Sequence, residues 1–234
     1  MSAIMLRAAK AEVLRYVPRP LVVLLLGPPG SGKGTHASSL SEDFDLPHIS
    51  TGDLFRKHIQ QQTELGQLAK KYLNSGRLVP DELVSDMVFE RLSMPDCYRG
   101  SILDGFPRNL NQAKSLHERL PQTSHVIALN FNVPETVLIE RIAGRLICKS
   151  CNRPYHQEFA PPSEFGVCDQ CGGDLHTRID DQEAVFRNRM KNYRQETSPM
   201  VDFYARHTGI LEEIDGQKPK EQVYRDVLGA VQSS

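Results

Sequence analysis

The stretch LVVLLLGPPGSGKGT, residues 21–35, sets six consecutive apolar residues directly against a glycine-rich loop that closes on Lys33, Gly34 and Thr35. A run of that length without polar alternation reads as a strand buried on both faces, the habit of parallel sheets covered by helices. A strand, a loop of this spacing and a following helix make a phosphate cradle. Successive backbone N–H groups converge on phosphate oxygens, the helix N-terminus adds its dipole, and a lysine supplies a mobile positive charge. The residues in question are Gly30, Ser31, Gly32, Lys33, Gly34 and Thr35. The strict pattern places Ser or Thr immediately after the lysine, whereas here Gly34 intervenes and the hydroxyl is that of Thr35. Any Mg²⁺ is then left mainly to the phosphates and water.

Outward from this loop, short apolar runs alternate with longer amphipathic stretches, as expected of βαβ units. Further strands are expected at Pro47 to Ile49, Ser101 to Asp104, His125 to Asn130 and Ile210 to Ile214. Helices are signalled by Pro80 with Asp81 and Glu82, by Pro134 ahead of Val137 and Leu138, and by Asp180 and Asp181 ahead of Val185. The fold class is α/β, a doubly wound parallel sheet, and such sheets bind ligands beyond the carboxyl ends of their strands.

With 234 residues, 39% of them hydrophobic and 24% charged, the chain suffices for one core with inserted subdomains. A formal net charge of −1 gives no standing attraction to nucleic acid or to an anionic membrane. No apolar run approaches the roughly 20 residues needed to cross a bilayer. No secretory signal is evident, so the chain is expected in a reducing, cytoplasmic setting and, by default, as a monomer. Residues 1–20 carry Arg7, Lys10, Arg15 and Arg19 against the single acid Glu12. This basic, amphipathic extension reads as a helix lying on the core, with a mitochondrial targeting segment as the alternative.

Between Gly144 and Asp181 the texture changes, and four cysteines appear in a segment too short for a core of its own. Cys148, Cys151, Cys168 and Cys171 follow C-x2-C-x16-C-x2-C, within the spacing of a four-thiolate zinc site. Four thiolates close a tetrahedral shell with no position left for water, so the zinc is expected to be structural. Disulfides are the competing account, disfavoured by a reducing compartment. Cys97 reads as a buried thiol. None of the eight histidines has ligand spacing: His156 is expected to pack in the cysteine segment, and His36 has no assigned role.

Two further segments, HISTGDLFR at 48–56 and LDGFPRNLNQA at 103–113, together with GPPGSGKGT resemble the adenylate kinases. The resemblance extends through GRLVPDELV at 76–84, GR at 144–145, TRIDDQE at 177–183 and IDGQKP at 214–219, leaving out only residues 1–20. It implies a core (21–49, 80–143, 182–234), a helical AMP-binding insert at 50–79, and a lid over ATP at 144–181. It also implies transfer of the γ-phosphoryl group from MgATP to AMP, giving two ADP. For AMP it points to Thr51, Arg56, Arg77, Leu78, Val79, Gly105, Phe106, Pro107, Arg108, Gln112, Arg178 and Arg189. For ATP it points to the loop with Arg141, Arg145, Pro154, Tyr155 and Lys218.

The chemistry gives independent reasons for such a set. A phosphate acceptor is already ionised near neutral pH, so the reaction needs alignment and charge neutralisation rather than a base. Planar guanidinium forks hold phosphate oxygens in pairs. Lys33, Arg108, Arg141, Arg145, Arg178 and Arg189 are the candidate catalytic cations. Asp104, at a strand end, is the candidate organiser of Mg²⁺ through water. Gln112 has an amide that can pair with an adenine edge. The competing readings are a GTP-dependent or other nucleoside monophosphate kinase, a zinc-ribbon nucleic-acid binder, and an inactive nucleotide-binding scaffold. The second wants a basic face, yet Glu158, Glu164, Asp169 and Asp174 accompany Lys149 and Arg153.

Overall fold

A computed structural model describes residues 19–206 and 210–233. The expected leader helix or targeting segment therefore lies outside the described residues, apart from its last two. Strand β1 is Leu21–Leu26, every residue of it buried, and it is the centre of a five-stranded sheet. Its partners are β3 (Gly100–Asp104) and β4 (His125–Asn132), with β2 (His48–Ser50) and β8 (Leu211–Asp215) at the edges. All four pairings are parallel, with Leu24 opposite Leu103 on one side and Ala128 on the other. The five expected strands are present, shifted by no more than two residues at either end.

Because side chains alternate across the sheet, β1 feeds two cores. Val22, Leu24 and Leu26 pack with Phe55, Val88, Phe106 and Tyr204; Leu21, Val23 and Leu25 pack with Leu40, Phe44, Phe131 and Val227. Burying each such aliphatic side chain is worth roughly 1.5–3 kcal/mol, which is why an unbroken apolar run belongs at the sheet centre. The helices that cover these faces are α1 (Lys33–Phe44), α4 (Asp81–Leu92), α5 (Leu110–Arg119), α8 (Ser198–Arg206) and α9 (Lys220–Gln232).

Residues 51–75 form two helices, α2 (Thr51–Gln60) and α3 (Glu64–Ser75), each started by a hydroxyl cap. Ser50 accepts from the Asp53 N–H at 3.3 Å and Thr63 from that of Gly66 at 3.1 Å. Pro80 and Pro134 sit immediately before α4 and α6 (Glu135–Ala143), where their missing N–H groups cost nothing. Asp180 and Asp181 belong to a single 3₁₀ turn, and the next helix, α7, runs Glu183–Asn192.

The cysteine-bearing stretch has its own antiparallel sheet, with β5 (Arg145–Cys148) between β6 (Pro154–His156) and β7 (Leu175–His176). Its apolar cluster is Leu146, Cys148, Tyr155, Cys168 and the partly buried Leu175, so two of its five members are cysteines. Among the described residues no helix is long and apolar enough to cross a membrane.

Candidate functional site

All five core strands run the same way, so the segments that leave β1, β2, β3 and β4 gather along one edge. The loop after β1 turns on Gly27, at φ +135°, where a Cβ would stand 2.8 Å from the Phe131 carbonyl oxygen. Only glycine fits there. The loop then enters α1 with Gly32 left-handed at the helix N-cap. Lys33 folds back over it, Nζ donating to the carbonyls of Gly27 and Pro28 at 2.7 Å each and to Ser31 Oγ at 3.1 Å. Burial, together with the charges of Arg108, Arg189 and Arg145, pushes this lysine down to about 7, with Asp104 opposing.

Arg108 follows β3, Arg145 opens β5 and Arg189 lies on α7, yet all three bear on one ammonium group. Arg178 bears on the same group of charges, with Arg56 and Arg145 among the cations that lower it. Burial lowers Arg178 and Arg189 to about 10, which leaves both charged at neutral pH. So many buried cations require fixed anions. Asp181, its side chain fully buried, takes the fork of Arg145, with Nε to Oδ2 at 2.7 Å and Nη2 to Oδ1. Asp180 takes Arg189 at 3.0 Å, and Asp53 takes Arg56 at 2.5 Å and Arg178 at 3.7 Å. Arg141 stands apart, donating to the Gly216 carbonyl at 2.8 Å, beside the Gln217 and Lys218 turn.

Asp104 ends β3 within 3.5 Å of His48 Nε2. Burial pushes its carboxyl up, but the His48 ring beside it and the charges of Lys33 and Arg108 outweigh that and hold it below the usual carboxylate range. A single ionised carboxylate above a phosphate-binding loop suits a hard cation that keeps its waters and takes its other ligands from phosphates. The residues present fit Mg²⁺.

Beside this cluster lies a cleft lined by Thr51, Phe55, Leu73, Arg77, Leu78, Val79, Gly105, Arg108 and Gln112. Gly105 is forced by close approach: at φ +79° its missing Cβ would lie 2.8 Å from both Thr51 Oγ1 and the Arg108 guanidinium. Its carbonyl accepts from Thr51 Oγ1 at 2.9 Å and from Arg108 Nε at 2.8 Å. Gln112 is committed more than its sequence context suggests. Its Oε1 accepts from the Arg108 N–H at 2.8 Å and its Nε2 donates to Asp81 at 2.7 Å, leaving one amide hydrogen for a base. Phe106 is buried in the core behind the cleft, and Pro107 follows it through a cis peptide.

In the cysteine stretch, Cys148 and Cys171 sulfurs lie 3.5 Å apart, Cys151 and Cys168 3.6 Å apart, and all four lie within 4.8 Å of one another. Tetrahedral zinc–thiolate bonds of about 2.3 Å imply sulfur separations of about 3.8 Å, so the donor set fits one such ion. All five cysteines are free thiols, Cys97 among them and buried. Without a cation the four cannot share their charge evenly. Burial raises the Cys168 thiol, but the Tyr155 hydroxyl and backbone N–H groups bring it to about 6, while burial and its sulfur neighbours push Cys151 to about 12.

Tyr155 points its ring into this small core rather than toward the loop, so what it can offer a nucleotide is backbone. Pro154 is exposed beside it. His156 also belongs here, stacked on Phe159 at 4.3 Å, with Nε2 3.2 Å from the Glu140 carbonyl. His36 is buried between the rings of Phe131 and Tyr224, its Nδ1 without a hydrogen-bond partner.

Sequence reasoning found the cations and missed their anions. Asp53, Asp180 and Asp181 hold arginines, Asp81 orients Gln112 and Asn109, and Thr197 donates to the Arg108 carbonyl at 2.6 Å. The signal available was that five buried cations need partners. Asp81, Asp180 and Asp181 were legible only as helix starts.

A loop that wraps phosphate, an ionised strand-end carboxylate, and guanidinium groups converging from separate segments define a nucleotide-dependent phosphotransferase of the P-loop class. The family model for adenylate kinase matches residues 25–209. An adenylate kinase of Carboxydothermus hydrogenoformans is 46% identical over 212 residues, covering 90% of this chain and 99% of that protein. Those of Clostridioides difficile and Archaeoglobus fulgidus are 46% and 47% identical over 213 and 207 residues, covering 90% and 88% of this chain and 98% and 95% of theirs. The chain belongs to the adenylate kinase family.

Proposed function

We propose that the protein reversibly transfers the γ-phosphoryl group of MgATP to AMP, giving two ADP. The observation that carries this is the meeting of Lys33, Arg108, Arg145, Arg178 and Arg189 between a phosphate loop and a separate cleft. Two phosphate chains brought end to end there would meet fixed, desolvated positive charge, which is what phosphoryl transfer requires. The acceptor phosphate, with a second pKa of about 6, needs no base to become a nucleophile.

In this reading AMP occupies the cleft. Thr51 and the backbone of Arg77 to Val79 border its base, with Gln112 giving its remaining hydrogen to a ring nitrogen. Arg56, Arg108, Arg178 and Arg189 receive its phosphate. ATP lies along residues 30–35, its base near Arg141, Lys218 and the backbone of Pro154 and Tyr155, its terminal phosphates against Lys33 and Arg145. Residues 50–79 and 144–181 act as the AMP-binding insert and the lid, whose closure excludes water from the γ-phosphoryl group. Adenylate kinase lids are themselves a known example of such gating, so the role comes to this chain from the family rather than from its distances. Asp104, through water, would hold Mg²⁺ on the phosphates, where the ion supplies charge neutralisation. Cys148, Cys151, Cys168 and Cys171 would hold zinc as a cross-link in a lid with too little core.

The test is phosphoryl transfer by the purified protein with Mg²⁺, crossing ATP and GTP as donors with AMP, GMP, CMP and UMP as acceptors. Rapid ADP formation confined to ATP with AMP is expected. Preference for GTP or for another acceptor would overturn the substrate assignment, and transfer with no pair would overturn the reaction.

A further inference from the structure

The second residue of β6, Tyr155, is buried in the lid with its phenol oxygen 3.3 Å from Cys168 Sγ. The same oxygen accepts the Asp169 N–H at 2.8 Å. That second bond fixes the direction of the first. With a backbone hydrogen already on the phenol oxygen, the phenol's own hydrogen is directed to the sulfur, and a metal-bound thiolate has none to give in return. Cys148 and Cys168 are the two buried sulfurs of the four, and the Ser150 N–H lies 3.4 Å from Cys148 Sγ, while Cys151 and Cys171 are exposed.

Four thiolates around one dication carry a net charge of −2, and the buried half of that charge has no water to spread into. We propose that Tyr155 is a positioning residue of the lid's metal centre, donating its O–H to the Cys168 thiolate so that this ligand is both aimed and partly discharged. The inference rests on the metal reading above and deepens it. It also says what joins the metal to the phosphate site: Tyr155 pairs with Leu146 across the lid sheet, one residue from Arg145. The ion is thereby tied to the strand that carries a phosphate-binding guanidinium.

Loss of an outer-shell partner costs metal affinity ten- to a hundredfold. The full chain loaded with zinc, titrated with a chromophoric chelator, should show that loss for Tyr155→Phe and none for Tyr98→Phe, whose phenol is exposed. Loaded instead with cobalt(II), Tyr155→Phe should move the thiolate-to-cobalt charge-transfer band to lower energy, because an unbonded thiolate gives up its electron more readily. Zinc affinity within twofold of the parent, with an unmoved band, overturns the proposal. Should Tyr155→Phe fail to fold, the parent sequence made with 3-fluorotyrosine decides instead. Its more acidic phenol should move the cobalt band to higher energy, and an unmoved band is the refuting result. A parent chain that takes up neither ion overturns the metal reading itself, an outcome distinct from the others.

Discussion

Lys33 in the free protein titrates near the working pH, and nucleotide binding should therefore draw a proton from solvent. Burial and three neighbouring guanidinium groups bring it to about 7, against Asp104. At pH 8 about nine-tenths of the molecules then carry a neutral Lys33, at pH 7 about half, and at pH 6 about one-tenth. Nucleotide phosphates on the loop add negative charge beside Nζ and return it toward the ordinary lysine range near 10.4. Uptake is then about 0.9 proton per nucleotide at pH 8 and about 0.1 at pH 6. Other groups contribute little at pH 8. A terminal phosphate with a pKa of about 6 is almost wholly ionised, and Arg178 and Arg189, at about 10, remain charged. The sign follows from linkage: the complex binds more protons than the free protein, so affinity falls as pH rises above 7, by up to tenfold per unit. Calorimetric titration with ATP in two buffers of different ionisation enthalpy reads the proton number directly. A heat independent of buffer at pH 8 refutes the reasoning, and so does uptake that survives in Lys33→Arg.

Arg108→Ala should lower kcat by about 10²–10³, as loss of a preorganised transition-state donor does, with Arg108→Lys recovering only part of it in a steady-state assay. Asp181→Asn, by leaving Arg145 without its buried fork, should destabilise the fold by about 3–5 kcal/mol in urea unfolding; a loss under 1 kcal/mol would mean the pair is idle. His36, lowered to about 4 by burial and by Lys220 and Arg141, is neutral when folded and protonates first when unfolded. Its cost is therefore nil above pH 6.5 and grows as pH falls to 4, reaching about 3 kcal/mol; His36→Phe should flatten that limb of the stability profile and stay as stable at pH 8. Adding a chelator to zinc-loaded protein should expose the amides of 145–148 to hydrogen exchange while those of β1 stay protected, read by mass spectrometry.

Legibility followed from how local each signal is. The six apolar residues at 21–26 and the glycines after them announce a buried strand and a phosphate loop within fifteen positions, and the cysteines announce a four-sulfur cluster by spacing alone. The guanidinium groups were readable as a set only through the resemblance, since no periodicity connects Arg56 with Arg178. Their counter-charges were hidden for a further reason. Asp181 reaches Arg145 across 36 positions, and a carboxylate at a helix start looks the same whether it caps a helix or holds an arginine. Gln112 is expected at the base-binding cleft, but the bond to Asp81 that uses part of its amide depends on tertiary packing between α4 and α5. The same holds for Tyr155, whose ring could have faced either way across a strand with a period of two.

The three-stranded antiparallel sheet has a further consequence, for ancestry. Its central strand is the way in and its neighbour the way out, with Ile147 opposite His176, so the segment leaves the body of the protein and returns to it at almost the same point. Whatever lies between those crossings can lengthen, shorten or trade one kind of cross-link for another without moving a residue of the five-stranded sheet. A lineage could therefore gain or lose its cysteines one cassette at a time, keeping Arg145 at the seam and its pairing with Asp181.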